Sequence, residues 1–419
     1  MPPDVLVLGG GPAGSATAAW LALSGLRVVL CEKERFPRPH VGESLLPYSV
    51  PLLHELGVWE RLAGHGFQRK LGGRFLFEPA GALFEISFDD LPGGSVGALH
   101  VRRGEFDRLL LEHTAELGVD VRQATTVRNV LFEGDRAVGA LIESGSGEDV
   151  IRARVVVDAT GRDTRIGRQL GLRRKDPVLG QASLWAHYRG ATMGLGREGG
   201  DILVVRNPAV GGWYWMIPLD AETTSVGVVF SAEAARNAGG TGAEERFDAL
   251  LSRSPEIAER IRGAQRLGPV SAEAEFSYRL TRFGGDGWLA VGDAAAFLDP
   301  VFSSGVHVAL ESARAAARTV RRALRQRGRL TVADVRGYER YLSRGLDRVR
   351  RWILGYYDPA FQRVFTHPQP PPLFKPTVTS ILAGRFFRWS PLTWGVDRVM
   401  HGMAWWYRRS PVTSHPSPD

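Results

Sequence analysis

Cysteine is almost absent from this chain of 419 residues, with Cys31 standing alone. No intrachain disulfide can form, and a thiolate metal cluster is excluded, so no metal site is expected. The lone thiol closes an apolar run, where a buried, inert side chain is expected. Long hydrophobic runs are also missing. None reaches the length of a membrane span, and the N-terminus lacks a basic-then-apolar leader. A cytoplasmic protein with no transmembrane segment is the expected reading. There is no internal repeat. No nucleic-acid recognition motif accompanies the net charge of +8, so nucleic acid is not an expected partner.

What is present reads as globular. Hydrophobic residues make up 44% and charged residues 23%, which over this length allows two domains with a large core. Arginine dominates the basic residues, densely at 314–329 and 344–351. Such runs suit solvated helix faces, or the docking of an acidic partner such as a carrier protein.

The stretch from Asp4 to Glu32 organises the chain. An apolar run, Val5 to Leu8, is followed by Gly9, Gly11 and Gly14 at G-x-G-x-x-G spacing. An alanine-rich helix, a Ser24-Gly25 turn and a second apolar strand ending on Glu32 complete a βαβ unit. Gly9 permits the tight turn, Gly11 lets backbone approach a pyrophosphate, and Gly14 lets helix and strand pack. The helix start offers unpaired N–H groups to phosphates, and Glu32 offers its carboxylate to a ribose diol.

Gly42-Glu43-Ser44 leads into a helix expected from about Pro47 to Leu62. Alternating aromatics from Phe75 to Phe88 read as strands. A helix after Arg103 stops at Gly118, and 127–150 reads as a small β-meander. Asp158-Ala-Thr-Gly161 turns at the carboxyl end of a buried strand, where ligands sit in open α/β sheets. Residues 181–230 are β-rich, and 232–262 read as helical. Gly292-Asp293 and Asp299-Pro-Val-Phe-Ser-Ser-Gly305 are two further glycine turns running into helices, the last extending to about Arg327. From Thr331 the chain is helical, then proline-rich at 368–372 and aromatic beyond.

The order of Gly9 to Gly14 with Glu32, Asp158 to Gly161, and Gly292-Asp293 resembles a glutathione-reductase-type flavin fold of the hydroxybenzoate hydroxylase kind, over about residues 1–340. Trp213-x-Trp215-x-Ile217-Pro218, Lys70 before Gly72, Gly42-Glu43-Ser44-Leu45-Leu46-Pro47 and the 299–305 loop resemble flavin-dependent halogenases of the phenol and pyrrole type. The implied fold class is α/β: a Rossmann-type FAD-binding domain with an inserted β-rich substrate domain and a helical C-terminal extension. The implied boundaries are 1–74, 97–180 and 276–330 for the FAD-binding domain. Residues 75–96 and 181–275 form the substrate domain, 331–410 the extension, and 411–419 a disordered tail.

The resemblance implies FAD, working as FADH2, with chloride or bromide as co-substrate. Expected cofactor contacts begin with Gly9, Gly11, Pro12, Ala13, Gly14, Glu32 and Lys33. Gly42, Glu43 and Ser44 follow, then Arg103, Ala159 and Gly161, then Gly292 and Asp293. Pro300, Ser304, Gly305 and Val306 complete the set. Lys70, Trp213 and Trp215 are the expected catalytic residues. In the implied chemistry hypochlorous acid is anchored by Lys70, through a hydrogen bond or as a chloramine, with burial lowering the lysine pKa. The indoles bar the aromatic substrate from the flavin. Ser304 and Gly305 at a helix start offer N–H groups to the halide.

Tryptophan halogenases carry a glutamate where this chain has Phe302, so the loop resembles enzymes acting on phenols and pyrroles, many of them carrier-tethered. No second nucleotide fold is evident, so a separate flavin reductase is an expected partner. The C-terminal segment is expected to pack over the substrate side, with Arg344, Arg348, Arg350 and Arg351 facing an acidic carrier. Two other readings remain: an FAD hydroxylase or geranylgeranyl-reductase-like enzyme without halide chemistry, and a flavoprotein that binds without turnover.

Overall fold

The computed structural model describes residues 2–91, 97–194, 199–274, 277–365 and 374–388, with residues 395, 398 and 402. Val5–Leu8 is a fully buried strand, paired in parallel with Val28–Cys31 on one side and Val155–Asp158 on the other. A strand covered on both faces has no use for polar side chains, and this one has none. Gly9 turns the chain at φ +102, and a Cβ there would meet the Ala159 carbonyl oxygen at 2.4 Å. Helix Pro12–Ala22 follows, with proline in its first turn. Asp120–Arg122, Trp288–Ala290 and Gly284–Gly285 extend the sheet to six strands. Only the last pair is antiparallel. Helices Pro12–Ala22, Arg103–Glu116 and Gly305–Arg327 pack together beside it. Cys31 is buried there, and burial pushes its thiol up to about 12. The meander is present as three antiparallel strands, Thr126–Glu133, Arg136–Ser144 and Gly147–Arg152.

A second sheet has seven strands. Their order is Gln265–Ala274, Ala182–Arg189, Thr223–Phe230, Gly212–Pro218, Asp201–Asn207, Gly72–Phe77, Ala82–Ser87. The side-chain period of two sorts its residues. Trp213, Trp215 and Ile217 join Phe75, Phe77 and Phe84 on one face. Tyr214 and Met216 join Phe247 and Leu250 on the other. Strand Gly72–Phe77 is continuous within this sheet, so it runs through the boundary expected at residue 74.

The helix expected over 47–62 is broken. A 3-10 turn, Pro47–Ser49, precedes helices Val50–Leu56 and Trp59–Ala63, because Gly57 ends the first in the left-handed region at φ +79. The region 232–262 is likewise three helices, Ala232–Ala238, Ala243–Leu251 and Pro255–Arg260. Glycines 239 and 240, both at positive φ, and Pro255 interrupt it.

Helix Val332–Tyr357 opens on a capping box between Thr331 and Asp334. Its apolar stripe of Trp352, Ile353 and Tyr356 is buried. The break comes earlier than the proline run, at Asp358-Pro359, where helix Pro359–Phe365 begins. Helix Phe374–Leu382 follows. This segment packs on the tryptophan face of the seven-stranded sheet. Two of the four arginines expected to dock a carrier are occupied within the fold. Arg348 is buried and donates to the Arg388 carbonyl, and Arg350 pairs with Asp176 at 2.5 and 3.1 Å. The proline run at 368–372, Trp389, Trp394, Trp405, Trp406, Tyr407 and the tail 411–419 lie outside the described residues. Among the described residues no helix is long and apolar enough to cross a membrane.

Candidate active site

A cavity of about 760 Å³ opens where the carboxyl ends of Val5–Leu8 and Val155–Asp158 face the seven-stranded sheet. That volume falls within the roughly 300–1,000 Å³ of small-molecule sites. Gly9, Gly11, Pro12, Ala13, Ala159 and Gly161 line one part. A Cβ built on Gly161 or Gly305 meets no atom within 4 Å, and one on Gly11 meets only the Arg38 guanidinium at 3.5 Å. At these points bare main chain is the cavity wall, as a closely approaching phosphate or ring requires.

Glu32 is buried at the strand end, accepting hydrogen bonds from the N–H groups of Gly10 at 2.7 Å and Glu34 at 2.9 Å. Its carboxylate is thereby fixed against the cavity with lone pairs to spare. Lys33, also on the wall, reaches Asp163 at 2.7 Å. Gly42, at φ +99, lets Arg103 approach, and Arg103 grips Asp107 in a bidentate pair at 2.9 and 3.0 Å. Burial works against the Arg103 charge, but Asp107 more than offsets it, and the guanidinium pKa rises. Asp293 lines the same space. Burial pushes its carboxyl up to about 6, with Arg103 and Arg162 pulling the other way. Gly14 and Gly292 stand behind the wall. A Cβ on Gly14 would fall 1.9 Å from the Gly9 oxygen, and one on Gly292 would fall 2.7 Å from Ala13 Cβ. They shape the site without facing it. Bare glycine walls, a fixed carboxylate and the wall arginines Arg38, Arg162 and Arg165 fit the phosphates and hydroxyls of FAD.

Trp213 and Trp215 line the cavity with ring centroids 5.6 Å apart. Gly227, opposite Trp215, makes room for its indole, since a Cβ would fall 2.1 Å from Cζ2. The Trp215 N–H donates to Ser225 Oγ and the Trp213 N–H to Asp299 Oδ1, both at 3.2 Å. Asp299 also accepts from the Val301 N–H at 3.0 Å, and its Oδ2 lies 2.7 Å from the Tyr357 hydroxyl. Burial pushes Asp299 up to about 6, while the Tyr357, Val301 and Trp213 hydrogen bonds oppose the rise. One carboxyl thus ties together the tryptophan strand, the 299–305 loop and the C-terminal helix. The loop turns at Ser303, φ +55, and Ser304 and Gly305 start the long helix against the cavity. Pro300 and Val306 line it as well.

Lys70 does not face the main cavity. It lines a second space of about 20 Å³, walled by Leu46, Phe75, Phe88, Phe302 and Leu382. Ile202 and Ser303 line both cavities, so one residue's thickness separates them. Lys70 is 3% exposed and its Nζ donates to the Leu45 carbonyl at 3.2 Å. Burial lowers its pKa to about 7, with Asp201 opposing. Burial thus favours the free amine over the ammonium. His100 lies behind it, fully buried, with Nε2 3.2 Å from the Gly200 carbonyl, and burial keeps its ring neutral. His307 is also buried, 3.3 Å from Ser49 Oγ, and burial lowers it to about 4. It is not on either wall.

Sequence reasoning missed Asp299, Tyr357, Asp201 and His187. His187 Nε2 lies 2.9 Å from Glu43 Oε1. These contacts bring together residues from separate elements, and no local pattern signals them.

A family model described as an FAD binding domain matches residues 3–344. A 1H-pyrrole-2-carbonyl-[peptidyl-carrier protein] chlorinase from Pseudomonas fluorescens is 34% identical, over 84% of this chain and 83% of that protein. A tryptophan 2-halogenase from Chondromyces crocatus is 36% identical, over 76% of this chain and 60% of that protein. Among solved structures, the flavin-dependent brominase Bmp2 superposes with a TM-score of 0.86 at 29% identity, over 97% of this chain and 99% of its own. The myxobacterial chondrochloren halogenase CndH gives a TM-score of 0.80 at 32% identity, over 96% of this chain and 97% of its own.

Proposed function

The chain belongs to the flavin-dependent halogenases, FAD-dependent oxidoreductases that take a halide as co-substrate, and on that premise we propose that it halogenates a small electron-rich aromatic acyl group held by a carrier protein. When bound, FADH2 would supply two electrons and two protons, with which O2, chloride and one further proton become hypochlorous acid and water. In this reading the Gly9–Ala13 turn and Glu32 with Lys33 hold the pyrophosphate and ribose. Arg103 and Asp293 hold the middle of the cofactor, and the 300–306 loop flanks the flavin. N–H groups of Ser304 and Gly305 hold the halide. Trp213 and Trp215 keep the aromatic substrate away from the flavin.

Lys70 acts next. Its free amine binds hypochlorous acid by a hydrogen bond, or forms an N–Cl bond with loss of water. The ring carbon then takes the chlorine and its proton leaves. The observation that carries this reading is the placement of Lys70: buried, with burial disfavouring its charge, and set one residue from the main cavity in a pocket walled by Phe75, Phe88 and Phe302 among aliphatic side chains. That pocket is about the size of a single water, so a ring enters only if its walls yield. A small ring is therefore favoured over an indole. The pyrrole-carrier relative supports tethering, and exposed arginines on the C-terminal helix suit an acidic carrier. A separate flavin reductase would supply FADH2.

The test supplies FAD, a flavin reductase, O2 and chloride or bromide, with pyrrolyl- and hydroxybenzoyl-carrier proteins and the free acids. The expected product has halogen in place of hydrogen on a carrier-bound ring. A product gaining oxygen instead would overturn the reading.

A further inference from the structure

Forming hypochlorous acid from FADH2, O2 and chloride takes up one proton, and that proton must reach a cavity lined by tryptophans and buried charges. We infer that His187 and Glu43 form a proton relay from solvent into that cavity, an inference that rests on the halogenase reading.

Glu43 is 2% exposed and lines the main cavity. Its Oε1 lies 2.9 Å from His187 Nε2. Its Oε2 is buried and has no hydrogen-bond partner in the protein. A buried carboxylate oxygen without a partner is costly, so its geometry calls for a donor or acceptor supplied by what occupies the cavity. Glu43 is held firmly enough to serve. Its carbonyl accepts from the Val101 N–H at 2.7 Å, and Leu45 pairs with Leu99 at 2.9 Å.

His187 stands behind it, off the cavity wall, on strand Ala182–Arg189. Its strand neighbours are Ser225 and Leu267, and the Trp185 ring lies 5.4 Å away. A quarter of its side chain remains exposed. The pair therefore spans the wall, with an imidazole reaching solvent and a carboxyl oxygen reaching the cavity. Arg103 acts on Glu43 electrostatically but cannot give up a proton, and Lys70 is 3% exposed.

The relay balances simply. The Glu43 carboxylic acid gives its proton from Oε2 to the reacting oxygen. The carboxylate regains one at Oε1 from His187 Nε2, and rotation of the carboxyl group carries that proton to the Oε2 position. His187 takes a proton from water at its outer edge. His187 acts through Glu43 and is a positioning residue.

The test mixes FADH2-loaded protein with O2 and chloride, and reads hydrogen peroxide released against flavin reoxidised. Peroxide release, in which FADH2 and O2 give FAD and H2O2, draws no proton from solvent. His187→Ala, His187→Gln and Glu43→Gln are compared with the unaltered protein, and FAD dissociation constants are measured beside them. His187→Gln keeps a donor to Glu43 but cannot pass a proton. Expected are unchanged FAD affinity for both His187 variants, and a shift toward peroxide of roughly tenfold or more for all three. Added imidazole should restore His187→Ala and leave Glu43→Gln as it was. An unchanged partition in His187→Ala would overturn the relay. So would a His187→Gln protein that behaves as the unaltered one, or equal loss of FAD affinity in both His187 variants. Peroxide as the only product of the unaltered protein would instead overturn the halogenase reading itself.

Discussion

Lys70 is one of four lysines among 53 basic residues, and among the described residues it is the one that lines the small pocket beside the main cavity. Its pKa of about 7 against an ordinary 10.5 has a consequence for stability. Between those values the unfolded chain holds more protons than the native one, so stability rises with pH across that window. Below about 7 the lysine is charged in both states, and the full cost of burying the charge is present. Lys70→Met should therefore stabilise the fold most below neutrality, by on the order of a few kcal/mol, and raise the melting temperature accordingly, with the gain fading toward 10.5. Thermal denaturation across that range checks it, and a pH-independent gain would contradict it. The same variant should lose halogenation and keep flavin reoxidation. Asp299 offers a second residue-scale case. Tyr357→Phe removes a hydroxyl 2.7 Å from its carboxyl and should cost about 1–3 kcal/mol in urea unfolding. Because Asp299 anchors the loop bearing Ser304 and Gly305, the KM for chloride should rise severalfold while that for the aromatic substrate holds. Lys70, Trp213 and Trp215 stand out in the sequence because each lies in a short local pattern, and the structure puts the two indoles on the main cavity wall and Lys70 off it. Asp299 with Tyr357, 58 residues apart, and Glu43 with His187, 144 apart, were not legible, because tertiary packing alone pairs them.

Whole elements were legible where one period ran unbroken. The βαβ unit, the meander and helix Gly305–Arg327 follow their patterns closely. The helices near 47–62 and 232–262 break because single glycines at positive φ, or a proline, override a continuing apolar pattern. The C-terminal helix shows how an element is seated. Gly345 lies under the Phe387 ring, where a Cβ would come within 2.1 Å of Cε1. Phe387 in turn contacts His307 at 5.9 Å and Tyr341 at 5.4 Å. Gly345→Ala improves helix propensity by up to about 1 kcal/mol, yet overpacking costs typically ~1–3 kcal/mol. The net expected is a lower melting temperature, and a higher one would show that Phe387 moves aside freely.

For the molecule as a whole, the net charge of +8 is spread unevenly. Arg336, Arg340 and Arg344 are exposed at four-residue spacing on helix Val332–Tyr357, and Arg351 is exposed beyond them. Reversing Arg336, Arg340 and Arg344 to glutamate should raise the KM for a carrier-bound substrate roughly fivefold or more at low salt, and less at high salt. A free acid should be unaffected, and an equal effect on both substrates would count against carrier docking. The flavin-binding sheet was legible from the resemblance carried by three ordered glycine turns, and the second sheet from the alternation at 75–88 and the β-rich run at 181–230. The seating of the C-terminal helices on the tryptophan face was legible only as a buried stripe, since sequence does not say which surface a stripe meets. That seating also sets a timetable for biosynthesis. Chains emerge from the ribosome N-terminus first, and the walls of the large cavity come from residues up to 346, whereas Leu382 is the last contributor to the lysine pocket. The described wall of the large cavity is therefore synthesised in full before Leu382, the last described residue of the lysine pocket, joins the chain.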